Sequence, residues 1–308
     1  MQTARLTFFA FSLSLHLCCS GLAAQAQWYT LESSLFRIRY HESDKKLIDD
    51  FSALVDKEYE YLTANLNLRI RQRVRIYLSP TQTDFDQITG HHIPHWGEGV
   101  ALLDRNMIVL KSPNLTKNFG RLSKLVRHEL THILVSQAMT PPAAVPTWFH
   151  EGMAIYFSYD DEFIGGEAIS KALIGDSIVP LAEIDHVLKF RQEKARLAYE
   201  ESYSAVLFLE EKFGYEGILA LTKELKNNKT FEGAFQAAYG ISSADFELDW
   251  IRYAEKKYRW RFLLDFDTFL WIFMLVVFIL VVVTIKIRNR IVLKRWEEEE
   301  RLSLEDEG

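Results

Sequence analysis

Apolar and polar positions change period several times along the chain, and each change marks a predicted element. Phe36-Arg37-Ile38-Arg39-Tyr40 alternates apolar with basic side chains, the two-residue period of an opening strand with one buried face. From Lys45 to Leu66 the period lengthens, and Leu47, Phe51, Leu54, Val55 and Tyr59 fall on one side of a helix. Alternation returns at Val74-Arg75-Ile76-Tyr77-Leu78 and ends at Ser79-Pro80, which predicts a second strand and a β-α-β start. Gly97–Leu110 (GEGVALLDRNMIVL) reads as a hairpin turning near Asp104-Arg105-Asn106. Leu122, Leu125, Val126, Leu130, Ile133 and Leu134 then recur three and four apart, predicting a helix closed downstream by Pro141 and Pro142. A second helix can start after Pro146 and return antiparallel to the first. Asp185 to Tyr258 is mostly helical in pattern: Ser202–Phe213 is closed by Gly214, Gly217–Leu225 starts again, and Gly240-Ile241-Ser242 turns into a last helix, Asp245–Tyr258.

Both ends of the chain depart from globular patterning. Met1–Arg5 carries one positive charge, Leu6–Leu17 is an apolar run of signal-peptide length, and Ala24-Gln25-Ala26 offers small residues for cleavage, so residues 1–26 are set apart as a signal peptide. An uncleaved anchor is the competing reading, disfavoured by the short run. Thr268–Ile285 (TFLWIFMLVVFILVVVTI) carries no charge over eighteen residues. At helical rise that stretch reaches roughly 27 Å, enough to cross a bilayer core. Basic residues flank it on both sides: Arg252, Lys256, Lys257, Arg259 and Arg261 before it, Lys286, Arg288, Arg290, Lys294 and Arg295 after it. Local charge therefore leaves the orientation open, and the signal peptide decides it by sending residues 27–262 across the membrane. Trp260 and Trp271 suit the outer interface. Residues 286–308 are then a cytoplasmic tail, turning acidic at Glu297–Glu300 and again at Glu305, Asp306 and Glu307, with a solvated helix as the default reading.

Composition adds constraints. The 308 residues are 48% hydrophobic and 25% charged, ordinary for a globular protein, and the net charge of -6 excludes the basic face that nucleic-acid binding needs. Cys18 and Cys19 both fall in the predicted leader, so the exported part holds together without disulfides. A lipid-modified cysteine is disfavoured by the bulky lead-in Leu15-His16-Leu17. The sequons at Asn114 and Asn228 read as chance.

The candidate chemistry lies in Leu125–Phe157, LVRHELTHILVSQAMTPPAAVPTWFHEGMAIYF. His128 and His132 stand four apart, so a helix projects both imidazoles from one face, where they can hold a single zinc ion. Catalytic zinc takes three protein ligands and leaves a position for water. Glu151, eighteen intervening residues after His132, is the third candidate. Glu129, between the histidines, is placed as the base that takes a proton from water rather than as a ligand. A packed helix without metal is the plain alternative for the short motif alone. His91, His92 and His95 cluster upstream, but their spacing fits no common metal site. His150 is expected at the cleft wall or the surface.

HExxH followed by this glutamate resembles the gluzincin class of peptidase MA-like metalloproteases. WFHEGMA is similar to the WLNEGFA segment of the aminopeptidase N family, and closer to the W-x-x-E-G-x-A of compact, membrane-associated bacterial peptidase MA-like domains. The resemblance implies His128, His132 and Glu151 as zinc ligands, Glu129 as catalytic base, and an α+β, zincin-like fold: a small mixed sheet, an active-site helix and a helical C-terminal half. It also implies that Gly97–Leu103 is the edge strand that binds substrate backbone, against the alternative of an ordinary hairpin. AYEESYSAVLFLEEKFG resembles the family's Y-x-x-S helix, with Tyr199 and Ser202 at the matching positions. Tyr199 is the candidate donor to an oxyanion, Tyr203 its competitor, and a half-buried core tyrosine the plain reading of either.

The expected function is that of a membrane-anchored zinc peptidase facing the bacterial periplasm or cell exterior from the inner membrane, acting on peptides or proteins. The absence of a GAMEN-like segment favours endopeptidase activity. A catalytically silent domain that binds envelope proteins or peptides is the rival from another class, opposed by the intact Glu129. A closed structural zinc module lacks an evident fourth ligand.

Overall fold

The computed structural model describes residues 27–91, 93–138, 145–184, 192–227, 230–261 and 266–306. The predicted leader with Cys18 and Cys19, His92, the helix stop at Pro141 and Pro142, the start of the helical half at Asp185, and Asn228 lie outside the described residues.

Trp28–Glu32 (β1), Phe36–His41 (β2), Val74–Ser79 (β3), Gly99–Leu102 (β4) and Met107–Lys111 (β5) form one sheet ordered β1-β2-β3-β5-β4. β2 and β3 run parallel, as do β3 and β5, whereas β1 and β4 are antiparallel edge strands. The parallel pairs need crossovers. Ile48–Leu66 (α1) supplies the first, as the β-α-β pattern predicts, and Gln82–Thr89 (α2) lies in the second. Opening strand and first helix both need correction. β1 precedes the predicted opening strand, its edge position leaving only a weak alternation of burial in WYTLE. The helix predicted from Lys45 starts at Ile48, because Asp44 turns inward to accept hydrogen bonds from Ser112 Oγ (2.6 Å) and Asn114 Nδ2 (2.8 Å).

Every residue of β5 is buried, since helices cover both sheet faces. Met107 and Val109 pack with Phe85 of α2. Ile108 and Leu110 face the main core, with Ile38, Ile76, the α1 residues Phe51, Val55 and Leu62, and the Leu122–Ala138 helix. The predicted β4–β5 hairpin is present. Its Asn106 takes a left-handed φ of 49° and donates from Nδ2 to the carbonyls of Gln72 (3.0 Å) and Arg73 (2.8 Å).

The rest is helical: Pro113–Thr116 (α3), Leu122–Ala138 (α4), Thr147–Ser158 (α5), Glu167–Ile174 (α6), Gln192–Asn227 (α7), Phe231–Tyr239 (α8), Ser243–Tyr258 (α9) and Phe266–Asp306 (α10). α7 breaks at Gly214, whose φ of 72° and ψ of 173° suit only glycine, and continues at once beyond it. Ser242 Oγ caps α9 by accepting from the Asp245 amide at 3.0 Å. Mixed α+β architecture with a small mixed sheet thus holds. Within α10, Phe269–Glu297 is long and apolar enough to cross a membrane, and none of it is buried against the rest of the chain.

Candidate metal centre

α4 and α5 pack antiparallel. Arg127, early in α4, donates Nη1 to the carbonyl of Phe157 at the end of α5 (3.2 Å), while His132, further along α4, meets Glu151 near the start of α5. Glu151 Oε2 lies 3.5 Å from His128 Nε2 and 3.6 Å from His132 Nε2. The two imidazole rings are edge to face, 4.9 Å apart. All three donor atoms fall within 4.8 Å of one another, so these residues form a candidate metal site of two nitrogens and one carboxylate oxygen. Such a donor set suits a borderline-soft divalent cation.

Local sequence explains how Glu151 comes there. Trp148, 3% exposed, stacks on Phe246 of α9 at 5.8 Å and meets Phe231 of α8 edge-on, which pins the start of α5. One residue past Glu151, a Cβ on Gly152 would sit 2.3 Å from the Ser202 carbonyl oxygen, so only glycine lets α5 touch the backbone of α7. α4 is anchored on its other side. Arg127 Nε and Ser123 Oγ both donate to the buried Glu58 of α1, at 2.6 and 2.7 Å.

Glu129 is 4% exposed and stands beside the β4 strand. The Ala101 amide donates to its carboxylate, and a Cβ on Gly99 would come within 3.0 Å of Oε1. Burial pushes the Glu129 carboxyl up to about 7, helped by Glu151 and opposed by His128 and the Ala101 amide. Burial also lowers His132, to about 3, with His128 and His150 adding to it and Glu151 opposing. At His128 burial acts downward, but the hydrogen bond to Glu151 and the carboxylates of Glu129, Glu151 and Asp160 leave it raised. Burial works upward on Glu151, yet the two imidazoles hold it below the usual carboxylate range.

Tyr199 enters the same space. A cleft of about 430 Å³ is lined by Trp96, Gly99, His128, Glu129, Phe163 and Tyr199, among others. The Tyr199 ring lies 5.0 Å from Phe163 and 6.4 Å from Trp96, and burial together with the charges of Glu151 and Glu129 drives its phenol well above the ordinary value. Tyr203 faces elsewhere: the groups acting on it are Tyr258, Tyr159 and Glu210. His150 departs from a surface position. It is 9% exposed, its ring is 5.7 Å from that of His132, and Nδ1 has no hydrogen-bond partner. Burial lowers it to about 4. α5 is packed on both faces, so a position beside Glu151 is interior as well.

The remaining letters of the YEES stretch carry roles not read from sequence. Glu200 Oε2 accepts from the Ala168 and Ile169 amides at the start of α6, at 2.8 and 3.3 Å, and Glu201 Oε1 accepts from the Val179 amide at 3.1 Å. Their signal is phase: Leu197, Ala198, Glu201 and Ala205 share one buried helix face, where a carboxylate must find donors.

With this geometry in place, comparison with known proteins is informative. Residues 57–256 match the Peptidase MA superfamily, and the chain belongs to it. It is also 27% identical over 140 residues to the uncharacterized protein YhcO of Bacillus subtilis (strain 168), covering 43% of this chain. The aligned part spans 41% of that relative, about two fifths of its length. Membership of the superfamily points to a peptidase domain.

Proposed function

We propose that the chain is a zinc-dependent peptidase of zincin-like fold and gluzincin type, cleaving within polypeptides. α10 holds it in the bacterial inner membrane, with residues 27–262 on the periplasmic or outer side and residues 286–308 in the cytoplasm. The reading rests above all on the convergence of His128, His132 and Glu151 from two helices, with Glu129 beside them in an open cleft. His128, His132 and Glu151 would hold zinc, which supplies Lewis acidity towards water and a substrate carbonyl.

The chain's own groups do the rest. Glu129, buried and raised to about 7, accepts a proton from water near neutral pH and returns it to the leaving amine. Tyr199, whose phenol stays protonated, donates a hydrogen bond to the oxygen that gains charge as the carbonyl is attacked. Among the described residues the edge strand β4 pairs only with β5, so its free side can take a substrate backbone as an added strand.

The test uses the full chain in detergent. Elemental analysis is expected to find zinc, and chelation should abolish cleavage of a peptide library until zinc is restored. Glu129→Gln should keep its metal and lose about 10²- to 10⁴-fold in rate. Cleavage that survives both chelation and this substitution sinks the proposal.

A further inference from the structure

The cleft beside Glu129 reaches Leu125 near the start of α4, and the character of its walls bears on what it takes. Trp96, Phe163 and Tyr199 make one side aromatic, with Leu125 of α4 opposite. Trp96 is 43% exposed although its ring edge meets Tyr199. A large aromatic surface left open beside a cleft is available to a ligand.

Charge then selects among occupants. The acidic residues lining this space besides Glu129 are Glu98, Asp160, Glu162 and Glu193, against Arg121 and Arg196. Arg121 Nη2 already binds Asp160 at 2.8 Å and Glu162 at 2.9 Å. Arg196 is engaged by Glu200 at 3.2 Å and Glu167 at 3.8 Å. Glu98 feels Lys111, whose own ammonium donates to the His95 carbonyl and lies over the Phe85 ring. Glu98 and Glu193 form no ion pair among the described residues, so the cations at the cleft are committed and carboxylate charge is left in excess.

We infer that this end of the cleft is a subsite for a basic side chain, Arg or Lys, of the peptide substrate. Its methylene stem lies along Trp96 and Phe163, its cationic head is drawn to the aromatic faces, and Glu98 and Glu193 at the rim supply the opposite charge. Acidic side chains are repelled from the same place. The inference rests on the peptidase reading for its substrate class, and the test separates the two.

The test measures binding apart from turnover. The full chain carrying Glu129→Gln, in detergent, is titrated with fluorescent peptides that differ only at one position: Arg, Lys, norleucine, Phe or Glu. Fluorescence anisotropy gives the affinities, and wild-type protein is assayed on the same peptides for cleavage. Arg and Lys peptides should bind about five- to tenfold more tightly than norleucine, as expected of one or two exposed charge contacts and a cation–π contact, and Glu should bind weakest. Salt should shrink the preference. A second variant, E98Q/E193Q on the same background, should remove the carboxylate share of the Arg preference and leave about twofold from the cation–π contact, and Trp96→Ala should weaken both Arg and norleucine. Equal binding of Arg, norleucine and Phe, a preference that E98Q/E193Q leaves undiminished, or no measurable binding overturns the subsite. Basic preference in binding without cleavage of any peptide leaves the subsite standing and removes the peptidase reading. Cleavage indifferent to the basic residue does the reverse.

Discussion

Glu129, Glu200 and Glu201 are buried and Glu151 is part-buried, and the four divide into two pairs that differ in where they stand. Glu200 and Glu201, on α7, are met by backbone amides of α6 and of the segment that follows it. Those donors are fixed parts of the chain, and the carboxylates tie elements together. In the cleft, Glu151 is met by the two imidazoles of His128 and His132, while Glu129 beside it accepts from the Ala101 amide and feels His128 through charge alone. Imidazoles can exchange a carboxylate for a cation or a substrate. Placement on the open cleft, not the depth of burial, distinguishes a reactive group from a brace here.

Substitutions can break this contrast or sharpen it. The largest expected effect is at Glu151. Glu151→Gln should weaken zinc binding by at least about 100-fold, since even loss of an outer partner of a ligand costs 10- to 100-fold. Metal titration with a competing chelator measures it, and circular dichroism should stay close to wild type. Unchanged affinity would remove Glu151 from the ligand set. Glu200→Ala comes next. It leaves two amides at the start of α6 without their acceptor, so stability should fall by about 1 to 2 kcal/mol while bound metal is retained. Denaturant titration reads the first quantity and elemental analysis the second.

The effect at Glu201 is confined to one pH range. Burial raises its carboxyl from 4.5 to about 8, so between these values the folded chain binds a proton that the unfolded chain releases. Stability contributed by this group is therefore complete below pH 4.5 and is lost as pH rises towards 8. Glu201→Gln should flatten that decline, leaving variant and wild type close at the acid end and the variant more stable at the alkaline end. Parallel stability curves for the two proteins would contradict the assignment.

Much of the site was legible in the sequence because its parts are local. His128 and His132 need only one helical turn, and α4 carries a clear apolar stripe that sets its face. WFHEGMA marked the second helix, and the β4–β5 hairpin followed from alternation on either side of Asp104-Arg105-Asn106. What escaped was non-local. Gly99 and Gly152 look like any glycines until Glu129 and Ser202 are brought against them. His150, expected at the cleft wall or the surface, is interior beside His132, because helical phase tells which residues share a side, not how many sides are covered. β1 was missed for the opposite reason: an edge strand half open to solvent has little periodicity to show. Glu200 and Glu201 looked like ordinary helix polarity, since the amides they satisfy belong to segments 22 to 32 residues away.

The contact at Gly152 has a consequence for how this molecule can vary. Glu151 is its immediate neighbour on α5, and Ser202, its contact on α7, lies one helical turn from Tyr199. Spacing between the ligand helix and the phenol helix is thus gauged at a single point by the bare α-carbon. Any bulk added there would push the two helices apart and shift both side chains together, so the position acts as a shim whose thickness the chain has kept at its minimum.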